Sequence, residues 1–174
     1  MGGVIFDLDQ TLVDSSIAYD LRKKRDWKAV YELIPRFFMY DGIYDVLDLL
    51  KENEIPICIV TSSPKSYCDK VLEYFNIDSI PNVCYHDTIN HKPHRDPIVK
   101  GVRLLNCNSS DIISIGDEEK DIIASKNANV ISVLAKWGTT GNYIGEHPDI
   151  IAETPKDLMN FIVTKFNINF ENVY

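Results

Sequence analysis

The sequence predicts an α/β fold in which helices cover both faces of a parallel sheet. Short apolar runs alternate along the chain with segments whose apolar residues recur at helical spacing. Strands that are apolar throughout are typical of a sheet buried on both faces. Their alternation with helices predicts right-handed parallel crossovers, so the strands should all end at one edge of the sheet.

The first predicted strand, residues 4–6, is the stretch around which the chain is organised. Its three apolar residues lead directly into Asp7, which we expect at the carboxyl end of the strand, where open α/β sheets bind their ligands. Asp9 and Thr11 follow at alternate positions. Two carboxylates at this spacing can bind a hard cation or divide nucleophilic and acid–base roles, but the same pattern also occurs where aspartates only begin a turn.

The segment after this strand changes character. Residues 14–40 are expected to form a helix, a break at Pro35 and a second short helical piece. An amphipathic helix starting at Ile43 and a second strand, residues 57–60, should follow. Ser62 or Ser63 is predicted to cap the next helix, with Pro64 at its first position.

The remaining elements continue the alternation. We predict a weak third strand at residues 83–85, a polar loop over 86–97 with a helix starting at Asp96, a fourth strand at 112–115, a helix containing Asp121, a fifth strand at 130–133 and a glycine-rich loop over 137–145. Thr154, Pro155 and Asp157 form a capping box that begins the last helix. The tail after Lys165 is ambiguous.

Length and composition limit the possible classes of protein. We expect residues 1–174 to form a single domain with its own core, since 45% hydrophobic and 25% charged residues are ordinary for a soluble globular protein. The net charge of −8 argues against general binding to nucleic acid or anionic membranes, although a local basic patch remains possible. No apolar run approaches the ~20 residues that span a bilayer, and no signal peptide is expected. The four scattered cysteines predict reduced structural residues in a cytoplasmic protein.

Several polar side chains are predicted to meet at the carboxyl edge of the sheet. Asp7, Thr61 and Asp117 follow the first, second and fourth strands, and Lys92 lies in the loop after the third. The carboxylates suit Mg²⁺, which prefers oxygen ligands. Thr61 can donate a hydrogen bond to a phosphate, helped by backbone N–H groups at the following helix start. Lys92 can place a positive charge beside the nucleophile and the transferring group.

These residues together predict two-step phosphoryl transfer. Asp7 would attack phosphorus and form an aspartyl-phosphate. Asp9 would protonate the leaving oxygen and later take a proton from water. Positioning and electrostatics would supply most of the acceleration.

Four short segments occur in a fixed order beside the expected strands. They are residues 7–11 (DLDQT), 59–63 (IVTSS), 92–97 (KPHRDP) and 116–121 (GDEEKD). Together they resemble the motifs of the haloacid dehalogenase superfamily, and specifically of its phosphoglycolate-phosphatase-like branch. The resemblance covers roughly residues 3–138.

This resemblance implies a three-layer α/β/α Rossmann-like fold, with strand order 3-2-1-4-5 and a small helical cap inserted after the first strand. It implies that Asp7 is the nucleophile, Asp9 the acid–base, Thr61 with Ser62 the phosphate-binding group, and Lys92 the stabilising cation. Mg²⁺ would be held by Asp7, the Asp9 backbone carbonyl and Asp117, with Asp121 acting through water or Lys92. An acid–base at Asp9 favours phosphate chemistry over dehalogenation, which does not need one.

Two features depart from the family pattern. Arg95 stands where a proline is usual, so we expect a less rigid loop after Lys92 or a ligand contact by Arg95. The segment available for a cap, residues 14–41, is short, which leaves substrate identity and exclusion of water by a lid open. This segment carries a basic run that either steers anions toward the metal or forms a solvated helix face: Arg22, Lys23, Lys24, Arg25 and Lys28.

The leading functional hypothesis is a Mg²⁺-dependent phosphomonoesterase. We expect a small phosphorylated molecule as substrate, no membrane association and no obligate partner, and nothing in the sequence indicates nucleic acid. The alternatives are a phosphatase acting on a polynucleotide or phosphoprotein, and a catalytically idle binding module. Glu118 either adds a metal ligand or only begins a helix. His86, His91 and His94 are interpreted as loop residues rather than a zinc site.

Overall fold

The computed structural model describes residues 2–169 and contains a large parallel sheet. Its strands are β1 (Gly3–Phe6), β4 (Ile57–Val60), β5 (Asn82–Val83), β6 (Ile112–Gly116), β7 (Ile131–Ala135) and β8 (Ile150–Ala152). They lie in the order β5-β4-β1-β6-β7-β8, and every neighbouring pair is parallel. The first five strands of this sheet therefore have the predicted order 3-2-1-4-5. Strand β8 adds a sixth strand at the edge that the sequence analysis did not predict.

Helices cover both faces of this sheet. They are α3 (Ile43–Glu52), α4 (Lys65–Tyr74), α5 (Asp96–Leu105), α6 (Glu119–Asn127) and α7 (Pro155–Phe166), and two further helices, α1 (Tyr19–Lys24) and α2 (Trp27–Leu33), lie in the segment between β1 and α3. Alternate residues of the buried central strand β1 point into two different apolar clusters. Val4 and Phe6 pack with residues of α3, α4 and α7, whereas Ile5 packs with residues of α5 and α6. The predicted three-layer α/β/α architecture is therefore confirmed.

The segment between β1 and α3 is enclosed by a small second sheet. Strands β2 (Val13–Asp14) and β3 (Phe38–Met39) pair antiparallel, so residues 15–37 leave and return to the main fold at one place. Helix α1 ends at Arg25, whose φ of 59° is left-handed, and Asp26 caps α2 by accepting from the Ala29 N–H. As predicted, a helix stops before Pro35 and a short helical piece follows, here the 3₁₀ turn Ile34–Arg36. The earlier turn at Arg25 and Asp26, which separates α1 from α2, was not predicted. The assignment of residues 14–41 as a cap stays a prediction.

This insertion is docked along helix α4. Trp27 lies against Tyr67 with ring centroids 5.7 Å apart, and the Tyr31 and Ser66 hydroxyls are 2.9 Å apart. Tyr74 donates from its hydroxyl to the Pro35 carbonyl at 3.2 Å. Contacts spread over two turns of α4 hold the insertion against the core.

Within residues 2–169, every helix is too short or too polar to span a bilayer. All four cysteines are free, as predicted, and burial raises the pKa of the Cys58 thiol to about 12. Helix α7 ends at Phe166, and its predicted capping box at Thr154 is present. Met1 and residues 170–174 lie outside the described residues. The end of the tail whose structure the sequence left ambiguous therefore lies outside them too.

Candidate active site

Lys92 is a buried cation fixed at the carboxyl edge of the sheet. Its side chain is 3% exposed, and its Nζ donates to Asp7 Oδ1 at 2.8 Å, to Asp121 Oδ1 at 2.7 Å and to the Val60 carbonyl at 2.7 Å. Burial opposes its charge, but the two carboxylates more than offset this and raise the pKa of Lys92. The ammonium group thus stays charged and links the ends of β1, β4 and α6.

Three buried carboxylates surround this lysine. Asp7, Asp117 and Asp121 each offer an oxygen atom, and these atoms lie within 4.8 Å of one another. Burial raises the pKa of Asp7 to about 7, with Lys92 opposing the rise and Asp121 adding to it. Burial, Asp7 and Asp121 together raise the pKa of Asp117 to about 9. A single lysine does not balance three carboxylates, so the donor set fits a hard divalent cation.

Neighbouring groups orient the other two aspartates. Thr11 donates from Oγ1 to Asp117 Oδ1 at 3.3 Å, and Thr139 donates to the Asp117 carbonyl at 3.2 Å. Asp121 accepts from the Glu118 N–H through Oδ2 at 3.1 Å, which leaves Oδ1 for Lys92. Glu118 itself stands at the N-cap of α6 and pairs with Lys120. Its carboxylate is not in the metal-ligating cluster of the described residues.

The end of β4 presents hydroxyl groups to the site. Thr61 Oγ1 accepts from the Ser63 N–H at 3.1 Å, which leaves its hydroxyl hydrogen free to donate. Thr61 and Ser62 both line the cavity described below. The prediction that Ser62 or Ser63 caps α4 was wrong, because α4 begins at Lys65 with Pro64 at its N-cap and without a side-chain cap. The Ser63 hydroxyl is used by the site instead.

Asp9 accepts three hydrogen bonds and forms one ion pair, so that each oxygen has two partners. Oδ1 accepts from Ser15 Oγ at 2.6 Å and from the Tyr67 hydroxyl at 2.6 Å. Oδ2 accepts from Ser63 Oγ at 2.8 Å and pairs with Arg22 Nη1 at 2.7 Å. Each oxygen of this carboxylate therefore has one partner from the insertion, Ser15 or Arg22, and one from the main fold, Tyr67 or Ser63.

Sequence reasoning missed these partners of Asp9. Arg22 was recognised only as part of a charge run, and Ser63 only as a helix cap. Ser15 and Tyr67 carried no signal, because each is isolated in the chain and meets Asp9 only after folding. Thr11 had a signal in its place two residues after Asp9, but its bond to Asp117 was not foreseen.

A cavity of about 510 Å³ opens over these groups. Asp7, Asp9, Thr61 and Asp117 form its deeper part, and the insertion contributes part of its wall. Of the basic run, Arg22, Lys23 and Arg25 line this cavity, together with Tyr19 and Trp27. Among the described residues, Lys24 and Lys28 do not line the cavity, and both are exposed to solvent.

The three loop histidines and Arg95 lie at the edge of the cavity or outside it. His86 lines the cavity, whereas His91 stacks on Tyr85 with ring centroids 3.8 Å apart. His94 is exposed and lies 3.1 Å from Asp96. Arg95 is exposed at the start of α5 and does not belong to the cavity that the described residues form. Trp137 donates from Nε1 to the Thr11 carbonyl at 3.0 Å and thereby ties the loop after β7 to the first motif.

The sequence profile of the haloacid dehalogenase-like hydrolases matches residues 20–135. The chain is 27% identical to a putative pyrophosphatase PpaX of Caldanaerobacter subterraneus, over 91% of this chain and 93% of that protein. It is 28% identical to the pyrophosphatase PpaX of Halalkalibacterium halodurans over 72% of this chain, and this match spans only 60% of that relative.

Solved structures show the same fold. A putative phosphoglycolate phosphatase from Lactobacillus plantarum superposes with a TM-score of 0.81 at 19% identity. The superposition covers 91% of this chain and 97% of that structure. The likeness in fold therefore extends over most of the chain.

Proposed function

Because the chain belongs to the haloacid dehalogenase-like hydrolase family, we propose that it is a Mg²⁺-dependent phosphatase that hydrolyses a phosphate monoester through an aspartyl-phosphate. One observation carries this proposal: Asp7 shares Lys92 with Asp121, lies beside Asp117 and opens with Thr61 into one cavity. That constellation combines a nucleophile, a site for a hard cation and donors for phosphate oxygens.

In the first step, an Asp7 carboxylate oxygen attacks phosphorus and the ester oxygen leaves. Thr61 and Ser62 bind oxygens of the phosphoryl group, and Lys92 keeps a positive charge beside the reacting carboxylate. Asp7, Asp117 and the Asp9 carbonyl would hold Mg²⁺, with Asp121 acting through Lys92 or water. The bound ion would supply charge that offsets the negative charge of the phosphoryl group.

Asp9 is the proposed acid–base. Its Oδ1 atom faces Ser15 and Tyr67, which are buried, whereas its Oδ2 atom contacts Ser63 and Arg22, which line the cavity. We therefore assign Oδ2 as the oxygen that exchanges a proton with the leaving group and then with water. The Oδ1 contacts hold the carboxylate while Oδ2 changes partners.

The cavity volume favours a small substrate over a macromolecule, since ligand pockets for small molecules span about 300–1,000 Å³. Pyrophosphate enters as a candidate because the relatives named above are pyrophosphatases. A phosphatase of polynucleotides or phosphoproteins and a catalytically idle binding module are the alternatives. The idle module predicts no turnover with any phosphate ester.

The test is hydrolysis of p-nitrophenyl phosphate with Mg²⁺, after EDTA treatment, and after Mg²⁺ is restored. We expect activity only with Mg²⁺, and we expect Asp7→Asn to lower kcat by at least about 10³-fold, because no other carboxylate can take the place of the attacking oxygen. Asp48→Asn, the same change at an exposed position, is the matched control. Asp7→Asn activity above a few per cent would remove Asp7 from this role, and full activity in EDTA would remove the metal.

A further inference from the structure

We propose that Arg22, Lys23 and Arg25 form a second anion subsite beside the phosphate site. The preferred substrate then carries a second negative group, a phosphate or a carboxylate, close to the phosphate that is cleaved. This inference rests on the proposed phosphatase function and adds to it the charge of the rest of the substrate.

The first support is an unused donor on Arg22. Its Nη1 pairs with Asp9, but its Nε is inaccessible to solvent and has no hydrogen-bond partner within residues 2–169. A buried guanidinium N–H without an acceptor is costly, so an acceptor supplied by a ligand would relieve that cost. A planar guanidinium can hold Asp9 through one N–H and a second anionic oxygen through another.

The charge around Arg22 keeps this group in its cationic form. Burial disfavours the charge, but Asp9, together with Asp7 and Asp117, holds the pKa of Arg22 above its usual value. Arg22 pairs with Asp9 at 2.7 Å and lines the same cavity as Asp7, so it lies where it can contact a group attached to the reacting phosphate.

The second support is the selective placement of the basic run. Lys23 and Arg25 line the same cavity as Arg22, while Lys24 and Lys28 do not belong to the lining made by the described residues. In a chain of net charge −8, three cations on one wall of the cavity make a local site for an anion.

These positions give the cavity two regions of different charge. The part lined by Asp7, Asp9 and Asp117 is rich in carboxylates, and it would bind a phosphoryl group through a divalent cation together with Thr61 and Ser62. The wall from the insertion carries cations without needing a metal. A substrate with two nearby anionic groups can use both regions, whereas an ester with a neutral alkyl or aryl group can use only the first.

The experiment compares three substrates in two double variants. The substrates are pyrophosphate, with a second phosphate; 2-phosphoglycolate, with a carboxylate; and ethyl phosphate, with neither. One variant combines Lys23→Gln and Arg25→Gln, and the matched control combines Lys24→Gln and Lys28→Gln. Both change the net charge equally and lie in the same short segment. Arg22 is left intact because its replacement would also release Asp9.

We expect Lys23→Gln with Arg25→Gln to lower kcat/KM by about tenfold or more for at least one doubly anionic substrate, and by less than about twofold for ethyl phosphate. The control should change all three values by less than about twofold. The arm with the larger loss identifies the second group as phosphate or carboxylate. An unfolding temperature equal to the wild type in both variants excludes a folding defect.

Equal losses for all three substrates, or equal effects of the two double variants, would overturn the subsite. These failures differ from failure of the proposed function. In that case the wild type would hydrolyse none of the three substrates with Mg²⁺, whereas a failed subsite leaves ethyl phosphate hydrolysis and its Mg²⁺ dependence in place.

Discussion

Both carboxylate oxygens of Asp9 have two partners, but only the partners of Oδ2 line the cavity. Ser15 and Tyr67 bind Oδ1 from positions that a substrate does not reach, and both contacts are 2.6 Å long. Because Tyr67 is fully buried, it can orient the carboxylate without touching the ligand. We interpret Tyr67 and Ser15 as positioning residues, and Asp9 as the group that exchanges the proton.

The acid role of Asp9 predicts a dependence on the leaving group. Asp9→Asn should lower kcat/KM for ethyl phosphate by about 10²- to 10⁴-fold, the usual contribution of acid–base catalysis. The loss for p-nitrophenyl phosphate should be smaller, because nitrophenolate departs without a proton. Tyr67→Phe should reproduce the same contrast weakly, since it removes one contact that orients the carboxylate.

The measurement is kcat/KM for both esters together with the rate of phosphoenzyme formation in a single turnover. Timing the first step separately is necessary because Asp9 also takes a proton from water in the second. Equal losses on both esters in the first step would mean that Asp9 is not the general acid.

At the scale of elements, most strands of the main sheet could be predicted from the sequence, whereas the short strands β2, β3 and β8 could not. Strands β1 and β4 are apolar along their full length and β6 is apolar except at Ser114, and a polar residue follows each strand. Both the strands and the positions of these polar residues could therefore be predicted. The pair β2–β3 has two residues in each strand, too few for any periodic signal. Strand β8 is also short, and its register depends on Asp149, which accepts from Ser132 N–H and Oγ.

The site likewise has residues whose placement could be predicted from the sequence and contacts that could not. Asp7, Thr61, Lys92 and Asp117 each follow a strand, so topology alone brings them to one edge of the sheet. The contact between Arg22 and Asp9 depends on the path of the insertion, which turns at Arg25 and not first at Pro35. A charge run does not reveal which of its members face a cavity until that path is known.

The docking of the insertion on α4 predicts local protection from proteolysis. Trp27→Ala should remove the ring that packs on Tyr67 and lower the free energy of unfolding by about 2 kcal/mol, less than for a fully buried aromatic residue. It should also raise the rate of trypsin cleavage within residues 22–28, because fewer contacts hold that segment closed.

A matched control separates this local opening from a general loss of stability. Phe161 is likewise partly buried against the core, but it lies in α7. Phe161→Ala should lower stability without raising cleavage in the basic run under native conditions. If both variants increased that cleavage equally, the insertion would open only when the whole molecule unfolds.

At the scale of the whole molecule, the chain is acidic, but positively charged side chains are concentrated at the cavity. The chain has a net charge of −8, yet Arg22, Lys23 and Arg25 all line one cavity, and Lys92 is buried beside Asp7. An acidic surface keeps nonspecific anions away, while the cavity keeps a local attraction for them. The same molecule buries three carboxylates against that one lysine, so we expect the folded state to respond to divalent cations.

This response predicts a metal-dependent stability. A cation that binds the folded state alone stabilises it by about 2.7 kcal/mol at 100 times its Kd, which for a chain of this size raises Tm by about 5–10 °C. Mg²⁺ should therefore raise the Tm of the wild type, and Asp117→Asn should abolish most of the rise, since one ligand of the carboxylate cluster is lost. Asp48→Asn changes the net charge equally on the exposed surface of α3 and should keep the full rise. Calorimetric scans at increasing Mg²⁺ measure the three shifts without any turnover. A wild-type Tm independent of Mg²⁺, or an equal rise in Asp117→Asn, would show that the buried carboxylates do not form the metal site.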